Sequence, residues 1–268
     1  MTNPLLSQRR ERRDLVVRRL TVAAVRPVTE HIVRVTLTGD ELAGFVATGP
    51  ADHVKLLFPD PASGAAVPGP GGAPGSGDAP RPAISRDYTP LDFRPEAGEL
   101  DIDVVLHGDA GPASAWASRA QAGDLLTVAG PRGSRLVPDG LGTLVLVVDE
   151  SAFPAASRWL RMTPAGVPVT VLADADQAST SSYFAGVPGA DRARFVVGGD
   201  REAALRAVPI DARTSVFLAG EATALVPLRR YLRRELGLPA EQVRASGYWR
   251  RGVAGLDHHA PVDPDDPD

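Results

Sequence analysis

Apolar and polar residues are arranged in two different ways along this chain. In the first half, residues 16–25, 31–38 and 53–58 carry β-branched or alternating apolar positions bounded by Pro, Gly and Asp, the pattern of strands with one buried face. Leu100, Ile102, Val104 and Leu106 alternate with Asp101 and Asp103, and residues 125–129 form another short apolar stretch. Only residues 112–122 read as a helix. Several short strands with a single helix predict a small antiparallel barrel or sandwich.

The period changes after the Gly- and Pro-containing stretch at 132–140. Residues 143–148 are continuously apolar, as in a strand buried on both faces of a parallel sheet. A helix is predicted over 152–162, with Ser151 as its cap and Pro154 tolerated in the first turn. Residues 167–172, 194–197 and 215–218 read as strands and 201–207 as a helix. A longer helix ends at Gly237, with Leu225, Leu228, Leu232 and Leu236 on one stripe and its regular part beginning only near Pro227. Strands alternating with helices predict an α/β domain with a mostly parallel sheet. The expected organisation is a barrel over 1–138, an α/β domain over 139–255, and a flexible acidic tail over 256–268. Residues 61–82 are more than half Gly and Pro, so a disordered loop is expected there. Such an insertion costs little, because closure entropy grows slowly with length.

Composition narrows the chemistry. The 268 residues include no cysteine, which excludes disulfides, thiolate metal sites, cysteine-ligated clusters and a cysteine nucleophile. A net charge of −4 leaves no overall nucleic-acid footprint. The longest apolar runs fall far short of the roughly 20 residues of a membrane span. The Arg-rich start lacks the apolar core of a secretory signal. A cytoplasmic protein with no nucleic-acid partner and no membrane insertion is expected. Arg229, Arg230, Arg233 and Arg234 read as a solvated helix face. His258 and His259 read as part of a solvated tail, so no metal site is expected. The usual dinucleotide fingerprint, P-loop, zinc-protease and hydrolase-elbow motifs are absent.

Two constellations carry candidate chemistry. In Arg86-Asp87-Tyr88-Thr89, strand alternation puts Arg86 and Tyr88 on one face. The planar fork of Arg86 suits a phosphate and Tyr88 suits a flat ring system, although an ordinary barrel strand would look the same. In the segment from His107 to Trp116, a strand ends at a Gly-rich turn and Pro112 opens a helix. The N–H groups of Ala113 and Ser114, with the Ser114 hydroxyl, would then face outward as a diphosphate site.

These segments, with Val128–Ser134 (V-A-G-P-R-G-S), resemble the FAD-binding half of the siderophore-interacting proteins, flavin-dependent ferric-siderophore reductases of the ferredoxin-reductase-like superfamily. Asp149-Glu150-Ser151-Ala152-Phe153-Pro154, Ala219-Gly220-Glu221-Ala222 and the G-Y-W-R-R-G run of Gly247–Gly252 resemble later motifs of that family. The resemblance implies two domains, an N-terminal antiparallel Greek-key β-barrel that binds flavin and a C-terminal α/β domain of NAD(P)-binding type. Arg86, Tyr88 and Thr89 would hold the flavin ring and its phosphate arm, with Tyr88 and Thr89 closest to the redox chemistry. His107, Gly111, Ala113 and Ser114 would hold the diphosphate. Asp149 and Glu150 would sit near the adenine end or the nicotinamide donor, and Tyr248 and Trp249 close to the flavin. Lys55, Arg250 and Arg251 would attract an anionic ferric siderophore. The implied cofactor is FAD, the implied donor NADH or NADPH, with ferredoxin as a further donor. Alternatives are a general NAD(P)H–flavin or ferredoxin-linked reductase, and a non-catalytic ferric-chelate binder. Asp87 beside Arg86, and Leu91-Asp92 where relatives place a further Arg, predict weakened flavin binding. The missing C-G pair of the superfamily leaves the nicotinamide role of the second half unsecured.

Overall fold

The computed structural model describes residues 5–58, 84–107, 111–257 and 260–266. The expected disordered loop at 61–82, positions 108–110 of the candidate phosphate turn, and His258 and His259 lie outside the described residues. The chain divides into two compact units, one of Glu11–Ser134 and the other of the first ten residues with Arg135 onward.

In order, the elements up to the end of the first unit are β1 (Arg10–Arg12), β2 (Val17–Pro27), β3 (Ile32–Thr38), β4 (Val54–Phe58), β5 (Ile84–Tyr88), β6 (Pro90–Arg94), β7 (Glu99–Val105), α1 (Pro112–Ala117), β8 (Leu125–Ala129) and β9 (Gly133–Arg135). Seven of the strands form one antiparallel sheet in the order β5-β4-β8-β2-β3-β7-β6. Its two edge strands, β5 and β6, are consecutive in sequence and joined at Thr89 but do not pair with each other. The sheet therefore curls into a half-barrel, and the closed barrel expected from sequence is corrected to that extent. Leu20, Val22, Val35, Leu37, Leu56, Phe58, Leu100, Ile102, Val104 and Val128 fill its concave side.

The alternation of β7 determines both of its faces. Its leucine, isoleucine and valine enter the core, while Asp101 and Asp103 point away from it and are nonetheless buried. Arg34 clasps Asp103 with two hydrogen bonds of 2.7 and 2.8 Å. Arg94 clasps Asp101 at 2.8 and 2.9 Å, and the Thr36 hydroxyl adds a third bond at 2.7 Å. Bidentate geometry of this kind offsets much of the cost of removing charge from water. The helix α1 is shorter than expected. It gives way to a turn in which Asp124 accepts the Gln121 N–H and Gly123 adopts φ +96°.

The second unit continues with β10 (Thr143–Asp149), α2 (Phe153–Met162), β11 (Val169–Asp174), α3 (Gln177–Phe184), β12 (Ala193–Val197), α4 (Arg201–Arg206), β13 (Thr214–Glu221), α5 (Ala222–Arg230) and β14 (Val243–Trp249). Its five-stranded sheet has the order β12-β11-β10-β13-β14 and every pairing is parallel. The order reverses beside β10, the strand in the middle. In open sheets of this type, ligands bind outside the carboxyl ends of the strands near such a switch.

Four expectations need correction here. The side chain that caps the turn leading into α2 is Asp149, which accepts the Ser151 N–H at 2.9 Å; Ser151 is a donor to it. The helix α5 is regular well before Pro227, because Glu221 accepts the Ala224 N–H at 2.7 Å and fixes the first turn. Neither α3 nor β14 was anticipated, since QASTSSYF and VRASGYW lack clear helical or alternating periodicity. The described part of the tail is anchored rather than freely solvated: Val262 and Asp263 are buried, and Val262 joins the core containing Leu225, Leu228 and Leu232. Asp263 accepts bonds of 2.6 and 2.8 Å from Arg230, and Asp266 pairs with the buried Arg229. Of the arginines that read as a solvated face, Arg229, Arg230 and Arg234 thus bind the tail's own carboxylates.

Candidate functional site

In the first unit, the candidate site grows from the edge of the curled sheet. Antiparallel pairing sets Tyr88 opposite Val54, Asp87 opposite Lys55 and Arg86 opposite Leu56. Alternation sends Arg86 and Tyr88 to one face and Asp87 to the other. On that second face Lys55 donates to both oxygens of Asp87, at 3.0 and 2.9 Å. The carboxylate suspected of opposing the Arg86 charge is therefore turned away from it and neutralised. The same bond occupies the ammonium of Lys55 that the sequence reading reserved for substrate. Arg86 donates only to the Ser85 carbonyl, at 2.8 Å, and makes no ion pair among the described residues. Burial pushes the Tyr88 phenol well above its ordinary pKa, with the Arg86 charge pulling weakly the other way. Thr89 is buried at the bend between the two edge strands.

The second part of this site is the start of α1. Gly111 occupies the N-cap in extended backbone, Pro112 follows, and no side chain caps the helix. The Ser114 hydroxyl does not point outward as expected. Ser114 is 1% exposed and accepts the His107 N–H at 3.0 Å, fastening strand end to helix start. The imidazole of His107 lies against Gly111, where a Cβ would stand 2.8 Å from the ring. Only glycine allows that approach without displacing the ring.

One residue that the sequence reading missed connects these parts. The Phe58 ring packs 6.5 Å from Tyr88 and 5.5 Å from Trp116, centroid to centroid. Tyr88 and the α1 corner thus stand on one aromatic wall. Phe58 ends an alternating strand within a segment that resembles the family, but neither signal pointed to its contacts with Tyr88 and Trp116.

In the second unit the predicted residues gather at the carboxyl edge of the parallel sheet. Asp149 ends β10 and is 8% exposed. One of its oxygens accepts from the Ser151 N–H and hydroxyl. The other accepts from the Glu221 N–H at 2.9 Å and the Trp249 indole N–H at 2.8 Å. Burial pushes the Asp149 carboxyl up from its ordinary value, and these donors pull it back only in part. Gly220 (φ +145°) makes room for it, since a Cβ there would lie 2.5 Å from the carboxylate. Trp249 remains 40% exposed. Glu150 accepts a short hydrogen bond from the Ser179 hydroxyl. Arg251 donates its N–H to Glu221 at 3.2 Å, and Arg250 closes a tight turn with Val253. The sequence flagged Asp149 and Trp249 separately; that they are bonded, 100 positions apart, had no local signal.

Among the described residues no helix is long and apolar enough to cross a membrane. Comparison with known proteins covers both units. Residues 21–135 match the siderophore-interacting FAD-binding domain, and residues 142–252 match the siderophore-interacting protein domain. The chain is 37% identical over 259 residues to an NADPH-dependent ferric-chelate reductase of Escherichia coli (strain K12), covering 93% of this chain and 99% of that protein. It is 30% identical over 235 residues to the ferric vibriobactin reductase of Vibrio cholerae, covering 84% of this chain and 86% of the relative. A siderophore utilization protein from T. fusca superposes with a TM-score of 0.82 at 37% identity, over 95% of this chain and all of that one.

Proposed function

The chain belongs to the siderophore-interacting protein family, and we propose that it is an oxidoreductase that uses FAD, with electrons from NADH or NADPH, to reduce Fe(III) held by a siderophore. The observation that carries this reading is the common wall of Tyr88, Phe58 and the α1 corner. It links the ring of Tyr88 to Trp116 of the helix whose start carries no side-chain cap, and Arg86 lies two residues before Tyr88 on the same strand, which supports placing the flavin's ring and phosphate arm here.

The residues fit a flavin dinucleotide. The uncapped start at Gly111 and Ala113 offers backbone N–H groups to the diphosphate, and the bare Gly111 position keeps His107 close. Arg86 supplies a permanent positive charge for the phosphate arm. Tyr88 presents a neutral ring, as any tyrosine does at physiological pH. Thr89, at the bend, completes the edge beside the ring. The chemistry that a bound FAD supplies is the conversion of a two-electron donor into a one-electron reductant. Iron is substrate here: Fe(II) is held more weakly by hard oxygen ligands than Fe(III), so reduction releases it. Arg250 and Arg251 are the cations proposed to draw in the anionic chelate; Lys55, its ammonium held by Asp87, adds no net charge to that pull. The cytoplasm is the proposed compartment, consistent with a chain that has no cysteine.

The test is spectroscopic. The purified protein, alone or after adding FAD, should show a bound flavin spectrum. Under nitrogen, NADH or NADPH should bleach it and a ferric siderophore should restore it. Reduced ferredoxin in place of the nucleotide tests the further donor. Absence of flavin binding, or bleaching that no ferric chelate reverses, would overturn the proposal.

A further inference from the structure

The carboxyl edge of the parallel sheet is where a nucleotide ligand is expected in this architecture, yet the helix starts after β11, β12 and β13 are held by capping carboxylates and the turn after β10 by Asp149. Asp149 fills the switch between β10 and β13, hydrogen-bonded to the Glu221 N–H. The starts of α3, α4 and α5 are capped by Asp176, Asp200 and Glu221. A phosphate at any of these termini would have to displace a carboxylate that already satisfies the N–H groups. What the edge offers instead is an aromatic face, the exposed indole of Trp249 at the end of β14.

That indole is not loosely held. Its N–H donates to Asp149, the same carboxylate that bonds the turn leading into α2 and the end of β13. Asp149 is itself almost wholly buried, so its position is set by β10, and Trp249 inherits that position. We propose that Asp149 is a positioning residue: by accepting the indole N–H it holds the exposed face of Trp249 ready to stack on a flat ring of the pyridine-nucleotide donor. The inference rests on the reductase reading above. Either ring of the donor, nicotinamide or adenine, presents the chemistry that an indole face recognises.

The experiment compares Asp149→Asn, Trp249→Phe and the double variant in the FAD-loaded full-length protein. An asparagine cannot accept from all four donors, so its NH2 group faces N–H groups on one side. A phenylalanine keeps a flat ring but loses the anchoring N–H. Each single variant should raise the KM of the bleaching reaction for NADH about tenfold, the effect of one hydrogen bond to a charged acceptor, with kcat within about twofold. The double variant should be no worse than Trp249→Phe alone, and the fluorescence contribution of Trp249 should become more accessible to acrylamide in Asp149→Asn. The reductase reading is probed separately in the wild-type protein, by reoxidation of photoreduced flavin with a ferric siderophore, a step that needs no nucleotide donor. Reduced nicotinamide mononucleotide separates the two rings: an unchanged KM for it assigns the contact to adenine, a raised one to nicotinamide. A wild-type KM for NADH in Trp249→Phe would overturn the proposal even if Asp149→Asn fails to fold. Multiplying effects in the double variant would also overturn it, because Asp149 would then act other than through Trp249.

Discussion

Replacing Ser114 by alanine separates a residue that shapes the proposed phosphate turn from one that touches the ligand. The hydroxyl is buried and accepts the His107 N–H at 3.0 Å. Alanine leaves that donor without this partner at a part-buried position. A net hydrogen bond contributes about 0.5–1.5 kcal/mol, and an unsatisfied buried donor more. Because His107 lies at the rim, water can replace part of the loss, and about 1 kcal/mol is expected. Because this bond orders the turn before FAD arrives, its loss is expected to be made good on binding, at a cost of up to roughly fivefold in the Kd for FAD, read by titrating apoprotein and following quenching of flavin fluorescence. The urea midpoint, followed by the fluorescence of the variant's tryptophans, should shift by a comparable free energy. A Kd within about twofold of wild type, with the stability loss present, would refute the placement of the diphosphate at this corner. A loss beyond a hundredfold would refute the positioning role from the other side, since only direct contact with a charged ligand carries that much.

Two further outcomes follow from ion pairs. Burial pushes the Asp101 carboxyl up, but bonds from Arg94 and Thr36 outweigh it and hold it below the usual range; its stabilisation is therefore complete above the unfolded pKa and lost as pH falls through the folded value. Urea denaturation should show stability declining below about pH 4, and Asp101→Asn should flatten that decline while lowering stability at pH 7. Truncation after Leu256 should remove the burial of Val262, worth about 2 kcal/mol, along with the Asp263 and Asp266 pairs; a fall in Tm of roughly 5 °C or more is expected by calorimetry, and an unchanged Tm would show that the tail does not contribute to the packed state.

Much of the fold and some of the site were legible in the chain itself, for a local reason. Alternation along β2, β3, β4 and β7, and the continuous apolar runs of β10 and β13, encode which faces are buried, and burial is the largest favourable term in folding. The Gly111-Pro112 pair marked a helix start because backbone preferences act within one turn. The elements without periodicity were illegible. The helix α3 and the strand β14 are held by their neighbours in the sheet and layer, not by their own pattern. The tail read as disordered because its acidic composition says nothing about the guanidinium groups of Arg229 and Arg230 that receive it.

By itself, then, the sequence determined the two-part architecture, the strand faces and the residue types that a flavin and a chelate require. Only the tertiary structure decided their partnerships: Lys55 neutralising Asp87, Phe58 joining Tyr88 to the helix corner, Ser114 fastening His107, and Asp149 anchoring Trp249. Propensity and hydrophobic pattern operate over a few residues. Hydrogen bonds and ion pairs depend on distances of about 3 Å, and between residues far apart in the chain those distances arise only when the sheets have formed.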